Sequence, residues 1–179
     1  MDDMPELKEI VGEFDLVLAG DKMILEAAGV TDRKYLQETD KRVFLKMFLR
    51  YLHKNHRRVY LLVESEEEGQ QAYNFLQHSY SGLQIIGMAK VSAQDRADDM
   101  LVNAINGGEV DCILSELSSP LQEDFIVKNR CLLDARIWMG MGKNAFATEN
   151  PKFGQGRMAQ FLLRHIFKRE MEKRKRIES

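Results

Sequence analysis

The 179-residue chain has only two cysteines, no long apolar run and almost no net charge. Two cysteines exclude a disulfide-stapled scaffold. Cys112 and Cys131 both sit in apolar, strand-like runs, so both are expected to be reduced core residues, as in a cytoplasmic protein. No run approaches the ~18 apolar residues of a membrane span. The start, MDDMPELKE, is acidic and lacks an apolar signal core, so nothing points to secretion. Lys and Arg number 26 against 28 Asp and Glu, and a formal charge of −2 gives no reason to expect nucleic acid as a partner. None of the four histidines joins two further ligands at a metal-like spacing, so neither a metal nor a cofactor is expected. Internal repeats, linkers and low-complexity segments are missing as well.

What is present is ordinary for a folded domain. Hydrophobic residues make up 44% and charged residues 30%, enough for one sizeable core. Apolar runs at residues 14–19, 58–63, 83–89, 110–115 and 131–138 predict five strands. Helical patterns alternate with them: 5–13, 22–28, about 40–54, 65–77, 92–107 and 120–129. The strands are apolar without strict alternation. That pattern predicts an α/β fold, a three-layer Rossmann-like domain with a mainly parallel sheet flanked by helices. The domain is expected over residues 1–156, and 157–179 as a C-terminal helix with a basic end.

The stretch 112–129, CILSELSSPLQEDFIVKN, is the most informative. It predicts a buried strand, a polar loop and a helix opening at Pro120, with Ser119 as its cap. Gln122, Glu123 and Asp124 fill the first turn, where acidic side chains suit the helix dipole. A strand running into a helix is where α/β proteins hold ligands. Asp21 sits in a similar place after the run 14–19, where it suits either a general base or a helix N-cap. Thr39 or Asp40 suits the cap of the long helix that follows. Glu64, Ser65, Glu66, Glu67 and Glu68 crowd another helix start, which favours folding and opposes a bound diphosphate.

The run ELSSPLQEDFI resembles the GLGxPxQExWI signature of the WecG/TagA/CpsF glycosyltransferases. Pro120, Gln122 and Glu123 match it, while Glu116 and Ser118 stand on its glycines. DLVLAGDKMILEAAGV is similar to the family segment DLVLPDGxGVVxAxxxxG. Asp21 falls on its proposed catalytic base and Lys22 on the following glycine. Asp40 falls on the Asp of an Arg-Val-x-Gly-x-Asp motif, with Tyr35 and Glu38 replacing Arg and Gly. The Glu64–Glu68 loop falls on the glycine pair of LGGxPG. Gly140 and Gly142 persist from a GVGGxFD-like run, and Lys143 replaces its next glycine, where it either meets a phosphate or is a solvated loop lysine. The family's opening strand and helix, with a Thr-x-Asn-type segment, is expected to be missing, since the likeness begins at about Leu7.

The resemblance implies transfer of N-acetylmannosamine or a related sugar from a UDP-sugar donor to a polyprenyl-diphosphate-linked acceptor in cell-surface polysaccharide or teichoic acid synthesis. It implies Asp21 as catalytic base, and Thr39, Asp40, Ser118, Gln122, Glu123, Gly140 and Lys143 as substrate-binding residues. Asp21, Asp40, Ser118, Gln122 and Lys143 are then expected to share one cleft. The basic cluster from Lys168 to Arg176 implies peripheral contact with the inner face of the cell membrane, with anionic lipid contributing about 1 kcal/mol per residue. The alternative is a non-catalytic relative that binds an oligomer or paralogue partner, since the glycine and Arg motifs are eroded.

Overall fold

The computed structural model describes residues 5–93, 98–143, 145 and 146. In chain order the elements are α1 (Pro5–Gly12), α2 (Lys22–Ala27), α3 (Arg33–Asp40), α4 (Val43–Lys54), β1 (Arg58–Val63), α5 (Glu66–Ser79), β2 (Gln84–Lys90), α6 (Asp98–Gly107), β3 (Cys112–Ser115), α7 (Leu121–Asn129) and β4 (Ile137–Gly140). The described residues fall into two compact units, 5–17 with 47–146, and 18–46.

The first unit holds the sheet. Its strand order is β2-β1-β3-β4, and every pairing is parallel. Val59 to Val63 are buried without a break, as expected of a central parallel strand covered on both faces. Tyr60, Leu62 and Ile113 point to one face. There they pack with Val91, Ile105 of α6, Leu117 and Phe125 of α7. Trp138 of β4 stacks on Phe125 with ring centroids 5.5 Å apart. On the other face α5 lies close. An added Cβ on Gly69 would stand 2.3 Å from Met88 Sδ and 3.2 Å from Val63 Cγ2. At the amino end of the sheet, Asp111 bonds the Arg57 guanidinium at 3.1 Å and the Arg58 N–H at 3.0 Å. The α/β, Rossmann-like class read from the sequence is the one observed, with helices on both faces of a parallel sheet.

Three expectations need correction. Residues 14–19 are not a strand. Leu16, Val17 and Leu18 are 62%, 58% and 45% exposed, and the segment has no ladder partner among the described residues. An apolar run becomes a strand only where a neighbour takes up its backbone groups. The last strand is Ile137–Gly140 rather than 131–138. Asn106 of α6 intervenes: its Nδ2 donates to the Leu132 carbonyl at 2.7 Å and its Oδ1 accepts from Asp134 N–H at 2.9 Å. That clamp holds the chain before β4 in turns. Cys131 therefore lies in a turn and is exposed, not in the core, whereas Cys112 is buried; both are free thiols.

The second unit carries α2 packed on α3, with Leu25 and Leu36 as its buried apolar residues. Asp32 caps α3, its Oδ1 accepting from Lys34 and Tyr35 N–H. Thr39 and Asp40, expected to cap the long helix, lie inside α3, while the long helix α4 begins at Val43. No helix is expected from the sequence between 28 and 40, yet residues 33–40 are helical, and Thr39 and Asp40 lie in the last turn. Arg42, with φ of 49°, separates α3 from α4.

Candidate functional site

A parallel sheet brings all its carboxyl ends to one edge. The chain leaves β1 for β2 on one side, and β3 leads to β4 on the other. The strand order therefore reverses between β1 and β3, and open α/β sheets bind ligands in the crevice at such a reversal. Besides Val91 after β2, three segments reach this edge: Glu64 and Ser65 after β1, Glu116 to Pro120 after β3, and Met141 to Lys143 after β4.

Their side chains meet. The Ser118 N–H donates a hydrogen bond to Glu64 Oε1, across the gap between the β1 and β3 ends. Lys143 Nζ donates to Glu64 Oε2 at 3.2 Å and lies 3.5 Å from Glu68 Oε1. Ser65 caps α5 through Glu68 N–H at 3.2 Å, which fixes both glutamates beside the lysine. Partial burial pushes the Glu64 carboxyl up, but hydrogen bonding by Ser118 and the Lys143 ammonium outweigh it, so its pKa lies below the ordinary carboxylate value. The hydrogen bond to Glu64, with the nearby Glu68 charge, holds the Lys143 ammonium above the ordinary lysine value. Lys143 is thus a half-exposed loop lysine that is paired with two carboxylates. The charge of the acidic loop, expected to oppose a bound diphosphate, is partly neutralised by Lys143.

Beside this cluster, Gln122 of α7 lies over Gly140 of β4. A Cβ on Gly140 would stand 2.6 Å from Gln122 Nε2, so glycine is what admits the amide. Gln122 Oε1 is buried without a hydrogen-bond partner among the described residues, as are Ser115 Oγ and Glu123 Oε2. Ser115 pairs with Gly140 in register, which puts its hydroxyl on the same face of the sheet. Unpartnered buried oxygens are uncommon, and at the ligand edge of a sheet they suit a hydrogen-bonding guest such as a sugar or water. Buried Glu116 takes the Phe146 N–H at 2.9 Å and so ties down the loop beyond Lys143. Ser119 does not cap α7. Pro120 occupies the cap position, without a side-chain hydrogen bond there. The first-turn bonds are supplied instead by the Ser118 and Pro120 carbonyls to Gln122 and Asp124 N–H.

The structure thus brings Ser118 and Lys143 together through Glu64, and Gln122 together with Gly140. Asp21, Thr39 and Asp40 belong to the other unit. Asp21 Oδ1 accepts from Met23 N–H at 2.6 Å and caps α2. Thr39 Oγ1 donates to the Tyr35 carbonyl at 3.1 Å inside α3. The residue that sequence reading undervalued is Glu64. Its signal was the first carboxylate of an acidic loop at a strand end, but its partners sit 54 and 79 positions away.

Two histidines are structural: His53 Nδ1 accepts from Gly82 N–H at 2.8 Å, and His56 Nδ1 donates to the Gly82 carbonyl at 3.1 Å. Among the described residues no three His, Cys, Asp or Glu side chains are placed to hold a metal ion. None of the described helices is long and apolar enough to cross a membrane. The C-terminal basic cluster, with His165, lies outside the described residues. No curated protein matches the chain. Residues 1–147 match the protein-family model described as Glycosyl transferase WecG/TagA/CpsF family, and over that length, which includes the whole sheet and the cluster at its carboxyl edge, the chain belongs to this glycosyltransferase family.

Proposed function

We propose that the chain transfers N-acetylmannosamine, or a related sugar, from a UDP-sugar to a polyprenyl-diphosphate-linked acceptor. Family membership supplies the reaction class. The carrying observation is at the strand-order reversal: unpartnered Ser115 and Gln122 oxygens beside Gly140, on the sheet edge that the Lys143 ammonium also reaches through Glu64. Hydroxyl-rich sugars satisfy the first, and a phosphoryl group suits the second. Asp21 serves as the base. It takes the proton of the acceptor hydroxyl as that oxygen attacks the anomeric carbon and UDP departs with the bonding pair. Its Oδ1 holds α2, while Oδ2 has no partner among the described residues. Thr39, Asp40 and Glu123 line the substrates in this reading. The basic segment from Lys168 to Arg176 sits at an anionic membrane surface at the cytoplasmic face, near the lipid-linked acceptor.

A second reading has one observation in its favour: the Lys143 ammonium already has two carboxylate partners. In that reading the chain keeps the scaffold and binds a partner without catalysis. One experiment separates the two. UDP release is followed with UDP-N-acetylmannosamine and a lipid diphosphate acceptor, for the wild type and Asp21→Asn. Asparagine caps helices as well as aspartate, so α2 is kept while the base is lost. Turnover by the wild type that falls about 100-fold or more in Asp21→Asn supports the transferase. Equal turnover in both removes Asp21 from the mechanism. No turnover in the wild type favours the partner-binding reading.

A further inference from the structure

Glu64 stands where the chain itself builds a place for an anion. A backbone N–H from the loop after β3 and an ammonium from the loop after β4 converge on one carboxylate, at the crevice between β1 and β3. An N–H and a lysine aimed at two oxygens are the donors that also hold a phosphoryl group. The arrangement differs from an ion pair locked in a core. The Glu64 side chain is 20% exposed and Lys143 is 47% exposed, so solvent and solutes reach it. It also differs from a surface pair, because a main-chain donor on a third segment completes it. Glu68 adds a further carboxylate 3.5 Å from the same ammonium. Two carboxylates and one ammonium leave one excess negative charge at this spot.

We propose that Glu64 is a built-in anion that fills a phosphoryl-binding position, so that a diphosphate ligand binds there only by displacing it. The position binds the group common to a nucleoside diphosphate and a lipid-linked diphosphate. Which of them it takes rests on the transferase reading, but the position itself does not. With the carboxylate in place the affinity for a diphosphate is low. When the charge at residue 64 is removed, Lys143 keeps only Glu68 as a carboxylate partner and the Ser118 N–H faces only a neutral acceptor, so a diphosphate competes for both donors. Glu64 is then a gate on occupancy rather than a catalytic residue.

The test is calorimetric titration of the full chain with inorganic pyrophosphate, UDP and farnesyl diphosphate. The proteins are the wild type, Glu64→Gln, and Glu64→Gln combined with Lys143→Met. Removing one like charge a few ångströms from the ligand is expected to tighten pyrophosphate binding at least about tenfold. The gain is expected to vanish when Lys143→Met is added. A gain for UDP alone among the two organic ligands assigns the position to a nucleotide, and a gain for farnesyl diphosphate alone assigns it to a lipid diphosphate. Unchanged pyrophosphate affinity in Glu64→Gln overturns the proposal, as does a gain that survives Lys143→Met. Circular dichroism checks the fold of each variant. If Glu64→Gln does not fold, Glu64→Asp replaces it: the shorter side chain retracts from Ser118, and it too is expected to bind pyrophosphate more tightly than the wild type in a Lys143-dependent way. Equal affinity there overturns the proposal. Pyrophosphate carries no sugar or nucleoside, so failure here leaves the transferase reading standing, and an inactive transferase leaves this one standing.

Discussion

Gly140→Ala separates what the site needs for folding from what it needs for a ligand. The added methyl would meet Gln122 Nε2 at 2.6 Å and Gln122 Cδ at 2.7 Å, so the amide must move. What it meets is the far end of a flexible side chain. Shifting it off its rotamer costs about 0.5–1.5 kcal/mol. Two effects offset this. Alanine lowers the entropy of the unfolded chain, worth about 0.4–1 kcal/mol where the backbone tolerates it. Gln122 Oε1 is also unpartnered where it is, so moving toward water relieves it. The net change is expected within about 1 kcal/mol of zero, which at an m-value of roughly 1–3 kcal/mol/M moves a urea midpoint by less than about 1 M. Gly82→Ala is the contrast. There the methyl would stand 2.6 Å from the His53 carbonyl oxygen, and backbone must yield. A loss of about 1–3 kcal/mol is expected. Ligand affinity should move the other way round. Gly140→Ala displaces Gln122 and is expected to weaken UDP-sugar binding about tenfold, the value of one good hydrogen bond to a ligand. Urea unfolding and a UDP-sugar titration on both variants decide it. If Gly140→Ala unfolds as readily as Gly82→Ala, or leaves ligand affinity unchanged, the contact between Gln122 and Gly140 is not a binding feature.

Other expectations are quicker to check. Burial, with the nearby Asp111 charge, pushes the Cys112 thiol up to about 12, while Cys131 is exposed. A thiol reagent at pH 8 is therefore expected to label Cys131 at once and Cys112 only after unfolding. Prompt labelling of both would contradict the burial of β3. The Glu64 carboxyl has a folded pKa below its ordinary value of 4.5, so the stability it contributes is present above the unfolded value and is lost as pH falls through the folded one. The stability difference between wild type and Glu64→Gln is expected to stay flat from neutral pH to about 5 and to shrink in more acidic solution. A difference that grows on acidification would refute the Glu64 contacts.

Most of the sheet was legible because its strands are short apolar runs bounded by turn residues. RVYLLV gave β1 at its true limits, and the run 110–115 contained β3, Cys112–Ser115, because both are buried on two faces and carry no competing pattern. The failures have local causes. FDLVLA looks like a strand by composition, yet strand formation depends on a neighbour that composition does not reveal. The helix α3 was hidden because only Leu36 of its residues is buried, so it lacks an apolar stripe, and its start depends on one aspartate cap. Ser119 looked like a cap because a serine before Pro-Leu-Gln-Glu suits that role, but Pro120 takes the position. The site was half legible. Gln122, Gly140, Ser118 and Lys143 stood out as candidates from motif positions, and the structure places them at the carboxyl edge without testing their role. The contact of Glu64 with Ser118 and Lys143 was not, because it depends on the strand order β2-β1-β3-β4, which places the ends of β1, β3 and β4 side by side.

The most direct measurement is the backbone amide spectrum of the nitrogen-labelled chain as UDP is added to millimolar concentration. Fast-exchange shifts are expected, since Glu64 competes for the position. The largest should fall on residues 64–69, 115–122 and 140–143, the three segments at the carboxyl edge of the sheet. Largest shifts instead at Arg57, Arg58 and Asp111, which mark the amino edge, would contradict the placement of the ligand site.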